Sequence, residues 1–433
     1  MRRERMLAVM RRFAILGLLL SAIVLLRQTE PFSERTGGAG MVPAVERDDA
    51  AGVEASAALR PVAVETRDSG GATAVSIWDG ETTQQAFQRF SAILGEALGS
   101  AGAPEEVSEA EFRSALSGEH VFFQPGAVYP LELMSEWLGI EAGEGRGHSA
   151  DLLCLGVADG AVALLFREPD SGFFRCSTAA QAETLSARIT EFRGPAAAFA
   201  YENPLLEGVE PYALIPGAMP EIRALSAAPV AEAVETNALI AAVGMNSRVV
   251  TSYYDADGTL VLNEDEQTLR LGSDGTLLYR AAPAEEDEGE QELTEAVKQA
   301  FRFAEACVRR GSGSAELVFA GVERDENGRW TVFFDYSAGG IGILLAEGHA
   351  AEVTVDGGAV RRAQLYLRRY IWGEDSVTIL PALQAAAAYA ALGGAVPTLA
   401  YLDMGGYVRC DWVLKNAEKE GAWRTNVWNA SYF

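Results

Sequence analysis

An uncharged apolar run at residues 13–26 (FAILGLLLSAIVLL) lies between arginines on both sides, Arg2, Arg3, Arg5, Arg11 and Arg12 before it and Arg27 after it. Arginine is rarely buried without a partner, so a run framed in this way is poorly suited to the core of a globular domain and decides instead where the rest of the chain folds. Its 14 residues fall short of the ~20 that a spanning helix wants and within the ~7–15 of a signal-peptide core, so length alone favours cleavage. Two observations weigh the other way. The following residues, RQTEPFSER, lack the small-x-small pattern that a signal peptidase reads, and residues 6–10 can lengthen the apolar stretch while Arg11 and Arg12 snorkel to the interface. The reading is an uncleaved, single-pass signal anchor. Residues 1–27 form a cytoplasmic basic stub and membrane helix, and the positive-inside bias puts the body on the extracytoplasmic side.

Beyond residue 27 the chain carries 29 Lys and Arg against 60 Asp and Glu, a net charge of −31 compared with −26 for the whole. Such a surface repels nucleic acid and anionic headgroups, which excludes a polyanion as the expected partner. With 433 residues, 49% of them hydrophobic, the chain can bury sizeable cores and should form two or three domains.

Residues 28–58 mix Gly, Ala, Glu, Asp and Arg without periodicity and read as a flexible tether. An N-terminal α+β domain is expected over residues 59–196. It opens on a hairpin around Ser69-Gly70-Gly71, followed by a helix with Phe87, Phe90, Ile93, Leu94 and Leu98 on one stripe. Ser108 and Glu111 form a capping box for a helix through Leu116. A strand at 121–123, a helix near 132–138, a meander at 152–157, 161–166 and 173–176, and a helix at about 179–192 complete the domain. Ala, Pro and Gly then dominate residues 195–220, which suits a boundary. A small central domain, 197–284, holds a helix at about 230–243 stopped by Gly244 and a β-hairpin region with two Asp-Gly turns. The acidic stretch 285–292 reads as a solvated linker. In the C-terminal α+β domain, 285–433, a helix at 293–310 precedes strands around Asn327-Gly328 and at 341–345, 351–355 and 360–370. A Pro381-started helix and a last strand pair at 398–403 and 407–414 follow. The fold class is α+β, each domain packing a helix or helices on an antiparallel β-meander.

Chemistry is sparse. His120, His148 and His349 have no second histidine at i+2 to i+4; Glu119 and Glu347 stand close by, but surface or loop histidines are the expectation. Gly311-Ser312-Gly313-Ser314 does not match a nucleophile motif and reads as a helix-ending loop. Overlaying a calcium loop on residues 253–264 fails at Tyr253, where an acidic ligand is required. Cys154, Cys176, Cys307 and Cys410 are even in number, which permits disulfides outside the cytoplasm, but their isolated apolar settings suit buried free thiols. Phe122-Phe123, Phe333-Phe334 with Tyr336, and Tyr366, Tyr370 with Trp372 could line a groove, although their strand spacing suits a core. Asn429-Ala430-Ser431 matches a glycosylation acceptor. No catalytic, cofactor-binding or metal residue is assigned, and no cofactor is expected.

The order of parts resembles the YycH family, whose last domain is similar to the companion protein YycI. The stretches that carry the resemblance are EHVFFQPGAVYPLELMSEWL in the first domain, SYYDADGTLVL with GSDGTLLYR in the second, and RWTVFFDYSAGGIGIL with VRRAQLYLRRY in the third. These are patterns of fold and turn, and no site residue transfers through them. The resemblance implies a non-enzymatic extracytoplasmic regulator that acts on a two-component sensor histidine kinase of cell-wall metabolism, together with a YycI-like companion and with the membrane helix contributing to kinase contact. The long Gly/Ala/Glu tether and high Ala content depart from the family. The competing expectation is an extracytoplasmic binding module for a cell-wall fragment or peptide, using an aromatic groove in the third domain. A hydrolase with convergent carboxylates is a third.

Overall fold

A computed structural model describes residues 60–158, 160–229, 236–282, 291–308, 311–346, 348–390, 396–415 and 423–424, all within one compact unit, Asp49–Phe433. The apolar run 13–26, the tether, residues 285–290 of the acidic stretch, Glu347 and Asn429-Ala430-Ser431 lie outside the described residues.

The first region runs β1 (Pro61–Arg67), β2 (Thr73–Ile77), α1 (Gly80–Gly99), β3 (Glu105–Val107), α2 (Glu109–Ser117), β4 (His120–Pro125), β5 (Tyr129–Pro130), α3 (Leu131–Trp137), β6 (Ser149–Ala150), β7 (Leu152–Ala158), β8 (Ala161–Glu168), β9 (Gly172–Gln181) and α4 (Ala182–Glu191). Its antiparallel sheet has the order β2-β1-β4-β7-β8-β9-β3. The expected stripe of α1 is the buried one. Asp79 caps the helix by accepting from the Thr82 N–H at 3.1 Å, and Phe87 and Phe90 meet Phe123 edge-on. The Ser108–Glu111 capping box of α2 forms in both directions. Strand β4 is buried on both faces: Phe123 points at α1, while its neighbour Phe122 packs on Phe199. Two-sided burial explains why β4, β7 and β8 read as continuous apolar runs rather than alternating ones.

The cover on that second face comes from the Ala- and Pro-rich stretch. Strands β10 (Ala197–Phe199) and β11 (Leu214–Pro216) pair with each other. Thr73 Oγ donates to the Ala197 carbonyl at 2.8 Å, and the Val75 N–H donates to Pro195 at 2.9 Å. Phe199, Leu206, Tyr212 and Leu214 are buried. Helical or strand periodicity is absent here because ring packing and individual backbone bonds, not a regular ladder, fix the segment.

Next come β12 (Arg223–Pro229), α5 (Thr236–Ala242) and the meander β13 (Thr251–Tyr254), β14 (Leu260–Glu264), β15 (Gln267–Leu271) and β16 (Thr276–Arg280). Gly244 follows α5 with φ +73°, and Gly258 and Gly275 take the left-handed positions of the two Asp-Gly turns. The remaining elements are α6 (Leu293–Val308), β17 (Glu316–Arg324), β18 (Trp330–Ala338), β19 (Ile341–Leu345), β20 (Ala351–Asp356), β21 (Ala359–Tyr366), β22 (Arg368–Ser376), α7 (Ala382–Ala390), β23 (Val396–Asp403), β24 (Val408–Lys415) and β25 (Trp423–Arg424). Strand β16 pairs with β21, so one sheet of order β13-β14-β15-β16-β21-β20-β18-β19-β23-β24-β25 draws strands from both the 197–284 and the 285–433 segments, with β17 also paired to β18. Its β19–β23 pairing is parallel and the others are antiparallel. Helix α6 covers one face through Phe301 on Phe334 and Phe303 on Tyr279. Strand β22 leaves this sheet to pair with β12. The fold is α+β, with seven helices among the described residues.

Candidate functional site

Strand alternation sorts β18 into two sets: Val332, Phe334 and Tyr336 are buried towards α6, whereas Phe333, Asp335 and Ser337 belong to the opposite face. On β19 the same alternation buries Ile341, Ile343 and Leu345 and turns Gly342 and Leu344 outwards. That second face, with β17 and β23, forms one wall of a cavity of about 510 Å³. The other wall belongs to the first region and includes Val62, Gly80, Gln84 and residues 126–130.

A narrow seam joins the two walls. The Gly80 N–H donates to the Gly339 carbonyl at 2.8 Å. A Cβ on Gly80 would stand 2.7 Å from the Gly340 nitrogen, so glycine is required where the backbones touch. Tyr129 stacks obliquely on Phe319, centroids 5.0 Å apart, and its hydroxyl donates to the Phe319 carbonyl at 3.4 Å. Burial pushes the Tyr129 phenol well above its ordinary value. Arg60 pairs with Glu316, and Lys298 with Glu136. Burial raises the Glu316 carboxyl, and Arg60 opposes the shift.

His349 and Asp335 form a hydrogen-bonded pair on the cavity wall, with Nδ1 to Oδ1 at 2.8 Å and the ring 4.8 Å from that of Phe333. Burial works to lower the His349 pKa. The hydrogen bond and charge of Asp335, aided by Glu352 and Glu323, outweigh burial and leave the pKa above its ordinary value. Gln84 Oε1, also on the cavity wall, is buried without a hydrogen-bond partner.

Of the three histidines expected on the surface or in loops, His148 and His349 stand half-buried in loops, and the structure corrects the expectation for His120, which lies on β4. His120 is fully buried, Nε2 on Glu65 at 2.8 Å and Nδ1 on the Gly118 carbonyl at 3.0 Å, beneath Phe199. His148 meets Glu168 at 3.0 Å between Phe166 and Phe174. In all three cases the carboxylate comes from another strand, so sequence spacing could not reveal it. No group of three or more His, Cys, Asp and Glu able to hold a metal occurs among the described residues. Cys154, Cys176, Cys307 and Cys410 are buried free thiols. Residues 311–314 end α6 and dock on Tyr370, whose N–H donates to Ser312 and whose carbonyl accepts from Ser314. The rejected calcium overlay falls on the β13–β14 hairpin, where Asp255 pairs with Arg270 and Asp257 accepts from the Thr259 N–H. Phe122, Phe123, Phe334, Tyr336 and Tyr370 are core residues, while Phe333 lines the cavity.

Sequence reading also missed a buried cluster in which Arg368 donates twice to Asp403, at 2.9 and 2.6 Å, and the Tyr370 hydroxyl donates to the same carboxylate at 3.0 Å. Burial and the Asp403 charge raise the Tyr370 pKa. The cluster ties β22 to the end of β23 and makes a two-pronged charge-assisted bond.

No protein-family model matches the chain, and no curated protein matches it in sequence. Its fold is that of the crystal structure of YycH from Bacillus subtilis, with a TM-score of 0.57 at 11% identity, over 84% of this chain and 95% of that one. The YycH-like resemblance read from the sequence therefore holds at the level of fold. Among the described residues no helix is long and apolar enough to cross a membrane.

Proposed function

We propose that the chain is an extracytoplasmic regulator of a two-component sensor histidine kinase, acting by protein–protein contact and without an enzymatic reaction of its own. The observation that carries this reading is the YycH fold extending over 84% of the chain. The run 13–26 anchors it in the cell membrane with the N-terminus inside, and the acidic body works outside beside a YycI-like companion. A surface of net −31 beyond residue 27 favours a protein partner over nucleic acid or an anionic bilayer. The test is kinase autophosphorylation in native membranes with and without the chain. A change of several-fold in either direction in one sensor kinase supports the reading, and unchanged labelling of every sensor kinase contradicts it.

A further inference from the structure

On β16 and β21 the side chains of Tyr279 and Ala363 are buried towards α6, Tyr279 against Phe303, so their neighbours Arg280 and Arg362 point to the opposite face of the sheet, where both are exposed. The strand register sets these two arginines directly opposite each other. Cross-strand partners have Cβ atoms about 5 Å apart, and like charges so placed repel. Beyond residue 27 acids outnumber bases by 60 to 29, yet among the described residues neither guanidinium has a carboxylate partner. The pair stands in the middle of a row that crosses five strands, Thr268-Arg280-Arg362-Thr354-Thr331. Every side chain in that row is neutral or cationic and can donate a hydrogen bond. In the next row Arg270, bonded to Asp255 at 2.9 Å, stands opposite the exposed Leu278. Carboxylates return towards β17, with Glu352 and Glu323.

We infer that this row is the docking surface for a short acidic segment of a partner protein, in which two carboxylates meet Arg280 and Arg362 and backbone carbonyls accept from the hydroxyls of Thr268 and Thr354. Side chains two residues apart on one face of an extended segment are roughly 6.6 Å apart, a spacing that two facing guanidinium groups can straddle. The charge pattern also bounds the length of the segment. Its two cations are central, the positions beside them are neutral, and Glu323 closes the row, so a long polyanion meets repulsion both there and from the net −31 of the body. Docking removes the repulsion that the free chain carries between the two arginines. This inference does not rest on the kinase reading, and either stands if the other fails.

The probe is a photoreactive peptide, Ser-Thr-Glu-photoleucine-Glu-Thr-Ser, with companions in which both glutamates are glutamine or lysine. Each is irradiated with the full-length chain in lipid nanodiscs, and the labelled residues are located by mass spectrometry. The glutamate peptide should label β16 and β21 several-fold more than the glutamine peptide. Arg280→Gln combined with Arg362→Gln should remove that preference, and Arg280→Glu combined with Arg362→Glu should invert it in favour of the lysine peptide. The glutamine variant, relieved of a repelling pair, should melt no lower than the wild type. Equal labelling by the glutamate and glutamine peptides, labelling confined to other elements, a preference that survives the double glutamine substitution, or label displaced by inorganic phosphate as readily as by unlabelled glutamate peptide would overturn the proposal. Should the glutamine variant melt lower, the inverted preference of the glutamate variant decides.

Discussion

In the first sheet Glu65 and His120 form a pair that is 1% and 0% exposed in its side chains, whereas in the second Asp335 and His349 form one that is 25% and 27% exposed. Both bonds measure 2.8 Å and both join neighbouring parts of a sheet, so the chemistry is shared and only the cover differs. Over His120 lies Phe199, carried by the irregular stretch that closes the second face of the sheet. Over His349 lies a cavity. A closed face turns a histidine–carboxylate pair into a structural tie, and an open face leaves the same pair available to whatever enters.

The sharpest way to break this comparison is to remove the sealed histidine. In His120→Ala, Glu65 loses its partner where water does not reach, at a cost of about 3–5 kcal/mol. Chemical denaturation should show it as a large drop in midpoint, and a loss below 1 kcal/mol would mean that Glu65 is not sealed. The backbone seam gives a second contrast. Gly80→Ala drives a Cβ against the Gly340 backbone and should cost about 1–3 kcal/mol, whereas Gly342→Ala points into open space and should change stability by no more than about 0.5 kcal/mol. Removing the Ser108 hydroxyl from the capping box of α2, as Ala, should cost about 1 kcal/mol in the same assay.

The smallest effect separates the open pair by its pH dependence. The His349 pKa is raised in the folded chain, so the native state binds the proton more tightly than the unfolded one. Its contribution is complete below the ordinary value of 6.5 and disappears as pH rises through the higher folded value. Asp335, Glu352, Glu323 and the Phe333 ring are the groups that set this balance. The stability difference between the wild type and His349→Gln should therefore be greater at pH 5.5 than at pH 8.5, and the reverse order would refute the assignment.

Local structure was legible wherever the sequence pays for it locally. The stripe on α1, the Ser108 box, Gly244 after α5 and the Asp-Gly turns all appear where hydrophobic spacing and turn chemistry place them. Relations between distant strands were not. Glu65 and His120 are 55 residues apart, and the pairing of Leu225 with Trp372 joins β12 to β22 across a much longer separation. Alternation says which face a side chain takes but not which strand lies opposite. The stretch at 195–220 lacks periodicity for a related reason: its order comes from Thr73, Val75 and Phe122, none of which leaves a periodic mark in the stretch itself. Phe333 illustrates the remaining gap, because one residue separates the core face of β18 from the cavity face.

The regulator reading is tested most directly by capturing the full-length chain from native membranes and identifying what comes with it, beside a version whose residues 13–26 are replaced by an unrelated membrane helix. Recovery of a sensor histidine kinase with the native chain, reduced or lost on replacement, is the predicted result and places contact in the membrane helix. Recovery of no sensor kinase with either version would contradict the account.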